Sequence, residues 1–355
     1  MAVCIHCGSP ADTVEHPLPA AFGGFRNAPT LDDRLCKPCN NTRLGILDEH
    51  FARCGPEGFL RKYYGIDGRS THAPINPFYR GSAGGQRIEM KAFDAQLGCE
   101  VLMECSDGQF KQVRQLIVTD DQGNAHQLPI REGTTPEQLR TAYKDLNVQA
   151  QEIRVLCDDD ERDWVEPLIA SAGGGTMTWN REEGSATYNG ARTSFVMTNR
   201  YFRAIAKIGF PYFLTQFREY LGSESIFDDI RAFILDETST VDRANQYVGK
   251  RQLPLLKEML TSGARPAGWQ AHLLAGEVKD ARLIAHVQMF ISEDWPAPAY
   301  TIILGTNSLL LDRAAGHLYA YYQDGPQGTY AGEAHTLDTM KTNRSVPLLP
   351  VIMPA

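Results

Sequence analysis

Four of the eight cysteines stand in two matched pairs, Cys4-Ile5-His6-Cys7 and Cys36-Lys37-Pro38-Cys39, with the stretch Gly8–Leu35 between them. Thiolates at this spacing form two hairpins that together suit tetrahedral Zn²⁺. Four soft anionic ligands close the coordination sphere, so such an ion is structural and not catalytic. It is also needed. A unit of about 50 residues buries too little apolar surface to fold alone, and structural zinc contributes on the order of 10 kcal/mol. Cys54, Cys99, Cys105 and Cys157 share no such spacing and read as ordinary buried thiols.

Between the pairs lie Val14-Glu15-His16-Pro17-Leu18-Pro19 and Gly23-Gly24, and Asn40-Asn41 directly follows Cys39. This arrangement resembles the HNH nuclease superfamily, in particular its zinc-stapled members, which include phage junction-resolving endonucleases. In that family an acidic-His pair ends the first strand and a polar residue opens the helix after the last cysteine; Glu15-His16 and Asn40 match those positions. The resemblance runs from Met1 to about Arg53. It implies a ββα-metal fold stapled by structural zinc and a metal-dependent hydrolysis of DNA phosphodiesters, with Glu15 and Asn40 as oxygen ligands to catalytic Mg²⁺ or Mn²⁺ and His16 as general base.

General chemistry is consistent with those roles: hard divalent ions take oxygen ligands and keep open positions, and an imidazole with a pKa of about 6.5 can accept a proton at neutral pH. The sequence departs from the family pattern in two ligands, since the acid is often Asp and is Glu15 here, and the closing ligand is Asn40 rather than His. The residue that orients the base has no unique counterpart; Asp32, Asp33 and Asn27 are all candidates. The rival reading is a non-catalytic zinc scaffold in a nucleic-acid complex, on which Glu15-His16 is a surface pair. His6 reads as a solvated turn residue. His50 reads as a bystander, about three helical turns beyond Asn40.

DNA contact is expected at the helix that starts with Asn40, through Arg43, with Lys37, Arg34 and Arg26 on the flanking loop and Arg61, Lys62 and Arg69 extending the path. No helix with base-reading side chains stands out, so no sequence specificity is expected. The net charge of −8 requires the contact to be local. Residues 1–55 carry five basic and six acidic side chains and the rest thirty and thirty-seven, so no segment is strongly basic.

The fold class expected is α+β: the zinc-stapled module at 1–55, a linker at 56–86, a mainly β region with one capped helix at 87–195, and an α+β C-terminal region at 196–355. The module is expected to end at the Cys54-Gly55-Pro56-Glu57-Gly58 turn signal, and Pro74, Pro77 and Gly81-Ser82-Ala83-Gly84-Gly85 mark the linker. Period-two patterns at Ile88–Ala92 and Cys99–Cys105 predict half-buried strands, with further strands at Leu116–Thr119, His126–Ile130, Leu283–Ile291, Tyr300–Leu304 and His317–Tyr322. Thr135, Pro136 and Gln138 predict a helix opened by a capping box. A helical tract from about Asn199 to Leu235 should be kinked or split at Pro211. Its aromatic group, Tyr201, Phe202, Phe210, Tyr212 and Phe213, reads as core. Gly173-Gly174-Gly175 lacks the Lys and Ser/Thr of a phosphate loop, and Asp158-Asp159-Asp160-Glu161 reads as a solvated acidic edge.

With 43% hydrophobic residues and no apolar run near the roughly 20 residues of a span, the chain is expected to be cytoplasmic, with no membrane partner and no secretion signal. The large C-terminal remainder is expected to recognise a DNA structure, a regulatory protein or a ligand. By analogy with bacterial chains joining such a module to a large second region, a defence or mobile-element nuclease is expected.

Overall fold

The computed structural model describes residues 2–66, 76–78, 88–106, 108–173, 188–195, 197–251, 271–291, 298–308, 312–321 and 331–336. Arg69, Pro74, Gly81–Gly85, Gly174, Gly175 and Tyr322 lie outside them. The chain is mixed α/β and divides into two compact units, one of Met1–Lys62, Ile66–Arg87 and Val196–Ala355, the other of Tyr63–Gly65 and Ile88–Phe195. Met1–Lys62 therefore shares a unit with the C-terminal part of the chain, where sequence sets residues 1–55 apart.

In the N-terminal part, strand β1 (Thr13–Glu15) pairs antiparallel with β3 (Leu31–Leu35), and β2 (Gly24–Arg26) lies between them in sequence. A π-helical turn at Pro38–Leu44 leads into α1 (Gly45–Cys54), and α2 (Pro56–Tyr63) follows. The expected turn at Gly55–Gly58 is thus a helix start: Pro56 pre-sets the helical φ and Glu57 favours the positive helix end. Glycine is needed at 58, where a Cβ would meet the Arg53 carbonyl carbon at 2.7 Å.

The second unit holds a sheet of β4 (Glu89–Asp94), β5 (Cys99–Ser106), β6 (Gln109–Gln112) and β10 (Tyr188–Ser194) in the order β10-β4-β5-β6. A second sheet has β7 (Gln115–Asp120) between β8 (Ala125–Pro129) and β9 (Ala150–Leu156). Helices α3 (Pro136–Asp145) and α4 (Arg162–Ser171) supply Leu139, Val165, Leu168 and Ile169 to a core shared with Leu116, Val118 and Leu128. Buried Gln115 joins the two sheets by accepting from Leu102 N at 2.9 Å and donating to Leu102 O at 3.2 Å. Thr135 and Gln138 form the capping box that their spacing predicts.

The rest of the first unit begins with α5 (Asn199–Gln216), followed by α6 (Asp228–Leu235), α7 (Val241–Tyr247), β11 (Val248–Arg251), β12 (Ala271–Lys279), β13 (Arg282–Ile291), β14 (Ala299–Thr306), β15 (Arg313–Tyr321) and β16 (Ala331–Thr336). The sheet order is β11-β14-β13-β12-β15-β16-β2, antiparallel except for the parallel pair of β16 with β2. That last pair joins Gly24–Arg26 to the far end of the described chain.

Helix α5 is buried on every side, with Ile205, Ile208, Phe210, Tyr212 and Phe213 fully enclosed, as an all-round apolar helix must be. It is not split at Pro211. The ring removes one hydrogen bond to Lys207 O, and enclosure of the helix on all sides offsets that loss. Gly209 lets it approach the sheet: a Cβ there would lie 2.9 Å from Ile302 Cδ1 and 3.0 Å from Ala285 Cβ. Gly276 on β12 does the same under the stacked rings of Phe213 and Phe217.

A buried polar chain ties α2 and β14 to this helix. Tyr201 donates to Glu57 Oε2 at 2.7 Å, and its oxygen lies 2.9 Å from that of Tyr300. Burial pushes the Glu57 carboxyl up from 4.5 to about 7, more than the Tyr201 hydrogen bond lowers it. The folded state therefore keeps a proton that the unfolded chain has lost, and stability should fall as pH rises from 4.5 to about 7. The slope from this group is about 1.4 kcal/mol per pH unit. Glu57→Gln should flatten that slope and leave the variant more stable than wild type at pH 8. Urea unfolding across this range checks it, and an unchanged slope would show that Glu57 stays ionised.

Candidate metal centre

Two backbone knuckles set the four sulfurs. In the first, Cys4 N donates to Ser9 O at 2.7 Å and Gly8 N to Cys4 O at 2.9 Å, with Gly8 at a φ of 73°. In the second, Asn40 N donates to Cys36 O at 2.9 Å as the chain enters the π-helical turn, and Lys37 N is held by Asp12 Oδ1 at 2.9 Å. Ile5 N reaches Arg34 O at 2.9 Å and so binds the first knuckle to β3. The Sγ atoms of Cys4, Cys7, Cys36 and Cys39 all lie within 4.8 Å of one another. Tetrahedral zinc with Zn–S bonds of about 2.3 Å places its sulfurs about 3.8 Å apart, so the donor set fits one ion.

The thiols differ strongly in acidity. Hydrogen bonding from Ser9 pulls Cys7 down to about 6, while burial pushes Cys36 and Cys39 up. Four thiolates in this space need a cation, and ion binding is what would favour the ionised form of Cys36 and Cys39. Cys54 and Cys105 are buried elsewhere, and Cys99 and Cys157 partly so, as ordinary thiols.

Glu15 closes β1 and is 4% exposed. Its Oε1 lies 2.6 Å from Lys207 Nζ, a buried charge-assisted contact. Lys207 comes from the centre of α5 and is 1% exposed. It donates to both carboxylate oxygens of Asp48 on α1, each at 2.7 Å. Burial opposes the ammonium, and the two carboxylates outweigh it, holding the Lys207 pKa above its ordinary value. Burial also lifts Asp48 to about 6, against the pull of Lys207 and with the help of Glu15.

Asn40 sits near the start of the π-helical turn and donates its amide to Thr13 Oγ1 at 3.2 Å; Thr13 in turn donates to Leu35 O at 2.8 Å. Thr13 lies two residues before Glu15, so Asn40 is bonded to the strand that carries Glu15, across a register irregularity between Thr13 and Val14. His16 follows the strand, half-buried, at a shallow hollow it lines with Leu18, Gly23, Phe25 and Tyr319. Of the candidates for orienting it, Asn27 donates to Glu333 Oε1 at 2.8 Å, and Asp32 and Asp33 are exposed.

Glu15 Oε1 is a buried carboxylate oxygen whose neighbour is the Lys207 ammonium at 2.6 Å. That ammonium stands where a second cation would have to sit, and among the described residues the grouping of three or more ionisable side chains that could hold a metal is the four-cysteine one.

Arg43 and Lys37 are exposed on and next to the π-helical turn. Arg34 donates to Leu221 O at 3.3 Å, Arg26 lies 3.8 Å from Glu333, and Arg61 donates to Ala21 O at 2.7 Å. His6 departs from the expected solvated turn residue. Its ring meets Phe210 edge-on at 6.4 Å, its Nδ1 is buried without a hydrogen bond, and burial first, then Arg231, Lys207 and Arg43, lower its pKa to about 4. His50 is buried, 3.4 Å from the Thr198 hydroxyl. Sequence reasoning missed Lys207 and Asp48, although Lys207 is the lone charge in the run Ala204–Leu214.

Comparison with known proteins found no family model, no curated protein and no solved structure that matches the chain. Among the described residues no helix is long and apolar enough to cross a membrane.

The purified chain should carry one zinc per molecule. Cys36→Ser should lose that zinc and unfold at lower temperature, as should wild type treated with a strong chelator, whereas Cys99→Ser should change neither zinc content nor melting temperature. Full zinc content in Cys36→Ser, measured by elemental analysis, would rule out the four-sulfur site.

Proposed function

We propose that this chain is a metal-dependent DNA endonuclease of the HNH type, with its chemistry in the segment Met1–Cys54. The observation that carries the reading is that Asn40 is bonded to β1, the strand that ends in Glu15, while the cysteines of a four-sulfur cluster suited to zinc flank that strand in sequence and end directly before Asn40. The order of β1, β3 and a following helix is also that of two strands and a helix that the family resemblance implies.

In this reading the zinc holds the two knuckles, and through them β1 against the start of the π-helical turn. Glu15 and Asn40 offer oxygens to Mg²⁺ or Mn²⁺. When bound, that ion supplies Lewis acidity to the phosphodiester and stabilises charge on the leaving 3′ oxygen. His16, half-buried and next in sequence to Glu15, takes the proton of the attacking water. Arg43 and Lys37, exposed beside the turn, meet the phosphate backbone, with binding that weakens steeply with salt. The C-terminal part of the chain recognises the DNA structure, partner protein or ligand that brings the substrate.

One observation favours a second reading. Lys207 holds Glu15 in the interior, as expected of a purely structural ion pair on a non-catalytic zinc scaffold. Plasmid nicking separates the two. The nuclease reading expects Mg²⁺- or Mn²⁺-dependent nicking by wild type and a loss of about a hundredfold or more in His16→Ala, with zinc content and fold unchanged. Absence of cleavage by wild type over a range of metals and DNA structures, or equal cleavage by His16→Ala, would sink it.

A further inference from the structure

A general base acts only on a water that is held in place, and the N-terminal segment offers little to hold one beside His16. Asn27 is bonded to Glu333, and Asp32 and Asp33 are exposed. The hollow that His16 lines takes part of its lining from far along the chain. Tyr319 on β15 is brought there by the pairing of β15 with β16 and of β16 with β2, and its ring meets Phe25 of β2 edge-on at 5.4 Å.

Among the residues that line this hollow, His16 and Tyr319 are the two with polar side chains; Leu18, Phe25, Ala28 and Pro29 are apolar. Tyr319 is fully buried, and its hydroxyl has no hydrogen-bond partner among the described residues. The polar groups near it are committed to one another: the Tyr212 hydroxyl lies 2.8 Å from His317 Nδ1, and His317 Nε2 lies 3.4 Å from Thr336 Oγ1. Burial pushes the Tyr319 phenol up, so it stays a neutral donor. A buried hydroxyl without a partner weakens a fold, and the hollow is where a partner can enter. Its space suits one water molecule and is too small for a nucleotide.

Resting on the nuclease reading, we infer that the Tyr319 hydroxyl and the His16 imidazole hold between them the water that attacks the phosphodiester. Tyr319 orients that water. His16 takes its proton as the water oxygen bonds to phosphorus and the bond from phosphorus to the 3′ oxygen breaks. The 3′ oxygen leaves with the bonding pair and takes a proton from solvent, so the products are a 5′ phosphate and a 3′ hydroxyl. The chemistry then needs one residue from outside Met1–Cys54, and β15 supplies it.

The test is Tyr319→Phe in the full, zinc-loaded chain, followed by plasmid nicking and thermal unfolding. Removing a hydroxyl that has no partner in the protein should leave the melting temperature equal or higher. At the same time kcat should fall about tenfold with KM within about twofold of wild type, as expected when an interaction that orients the attacking water is lost. In a His16→Ala background the same substitution should lower the residual rate less than about twofold, because two groups acting on one water are not additive. Tyr220→Phe is the contrasting control, since the Tyr220 hydroxyl accepts from Asn307 Nδ2 at 3.2 Å. It should lower the melting temperature and leave kcat unchanged. If Tyr319→Phe melts lower than wild type, or cuts with wild-type kcat while His16→Ala does not cut, the inference is overturned and the nuclease reading stands. If wild type cuts no DNA, the nuclease reading fails, and a crystal structure decides the water site separately. An ordered water bonded to both Tyr319 Oη and His16 would uphold it, and none there would overturn it.

Discussion

An ammonium buried to 1% exposure must have counter-charges, and Lys207 finds them on two elements far earlier in the chain, α1 and β1. Breaking such a buried set by removing one partner costs about 3–5 kcal/mol, because the charge left behind has no water to turn to. This contact ties the segment that carries the four-cysteine cluster to α5. The segment is fastened to the central helix by charge at Lys207 and by the Tyr201–Glu57 hydrogen bond, and to the sheet by the parallel pairing of β2 with β16. It belongs to the same compact unit as the seven-stranded sheet.

The four-cysteine cluster and Lys207 have separable places within that arrangement. The four sulfurs gather locally where the Cys4–Cys7 knuckle meets β3 and the helical turn Pro38–Leu44 begins. The lysine fixes depth, drawing Glu15 inward. A carboxylate meant only for structure would be expected to spend its oxygens on good hydrogen bonds. Glu15 Oε1 spends its contact on the Lys207 ammonium at 2.6 Å.

What is legible in the sequence is what depends on neighbours in the chain. The cysteine pairs, the period-two strands β4 and β5 and the capping box at Thr135 follow from spacing alone. The start of α2 looks like a turn because Pro56, Glu57 and Gly58 suit both, and only the close packing of Gly58 on Arg53 shows why that glycine sits in a helix. Pro211 misleads for a related reason, since the rule that proline breaks helices weighs one lost bond and not the enclosure of a central helix. Glu15 and Asn40 can be picked out through a family resemblance, but their partner cannot. Lys207 comes from a distant helix, and its pairing with Glu15 and Asp48 is a product of tertiary packing. The one local hint is a single charge in an otherwise apolar run, which already implies a buried counter-ion.

Crystals soaked in Mn²⁺ and measured for anomalous scattering at the manganese and zinc edges would test the central claim most directly. Expected are a zinc peak among the sulfurs of Cys4, Cys7, Cys36 and Cys39, and a separate manganese peak bonded to Glu15 and Asn40. A zinc peak alone, with Lys207 still against Glu15 and no manganese there at saturating concentration, would contradict it.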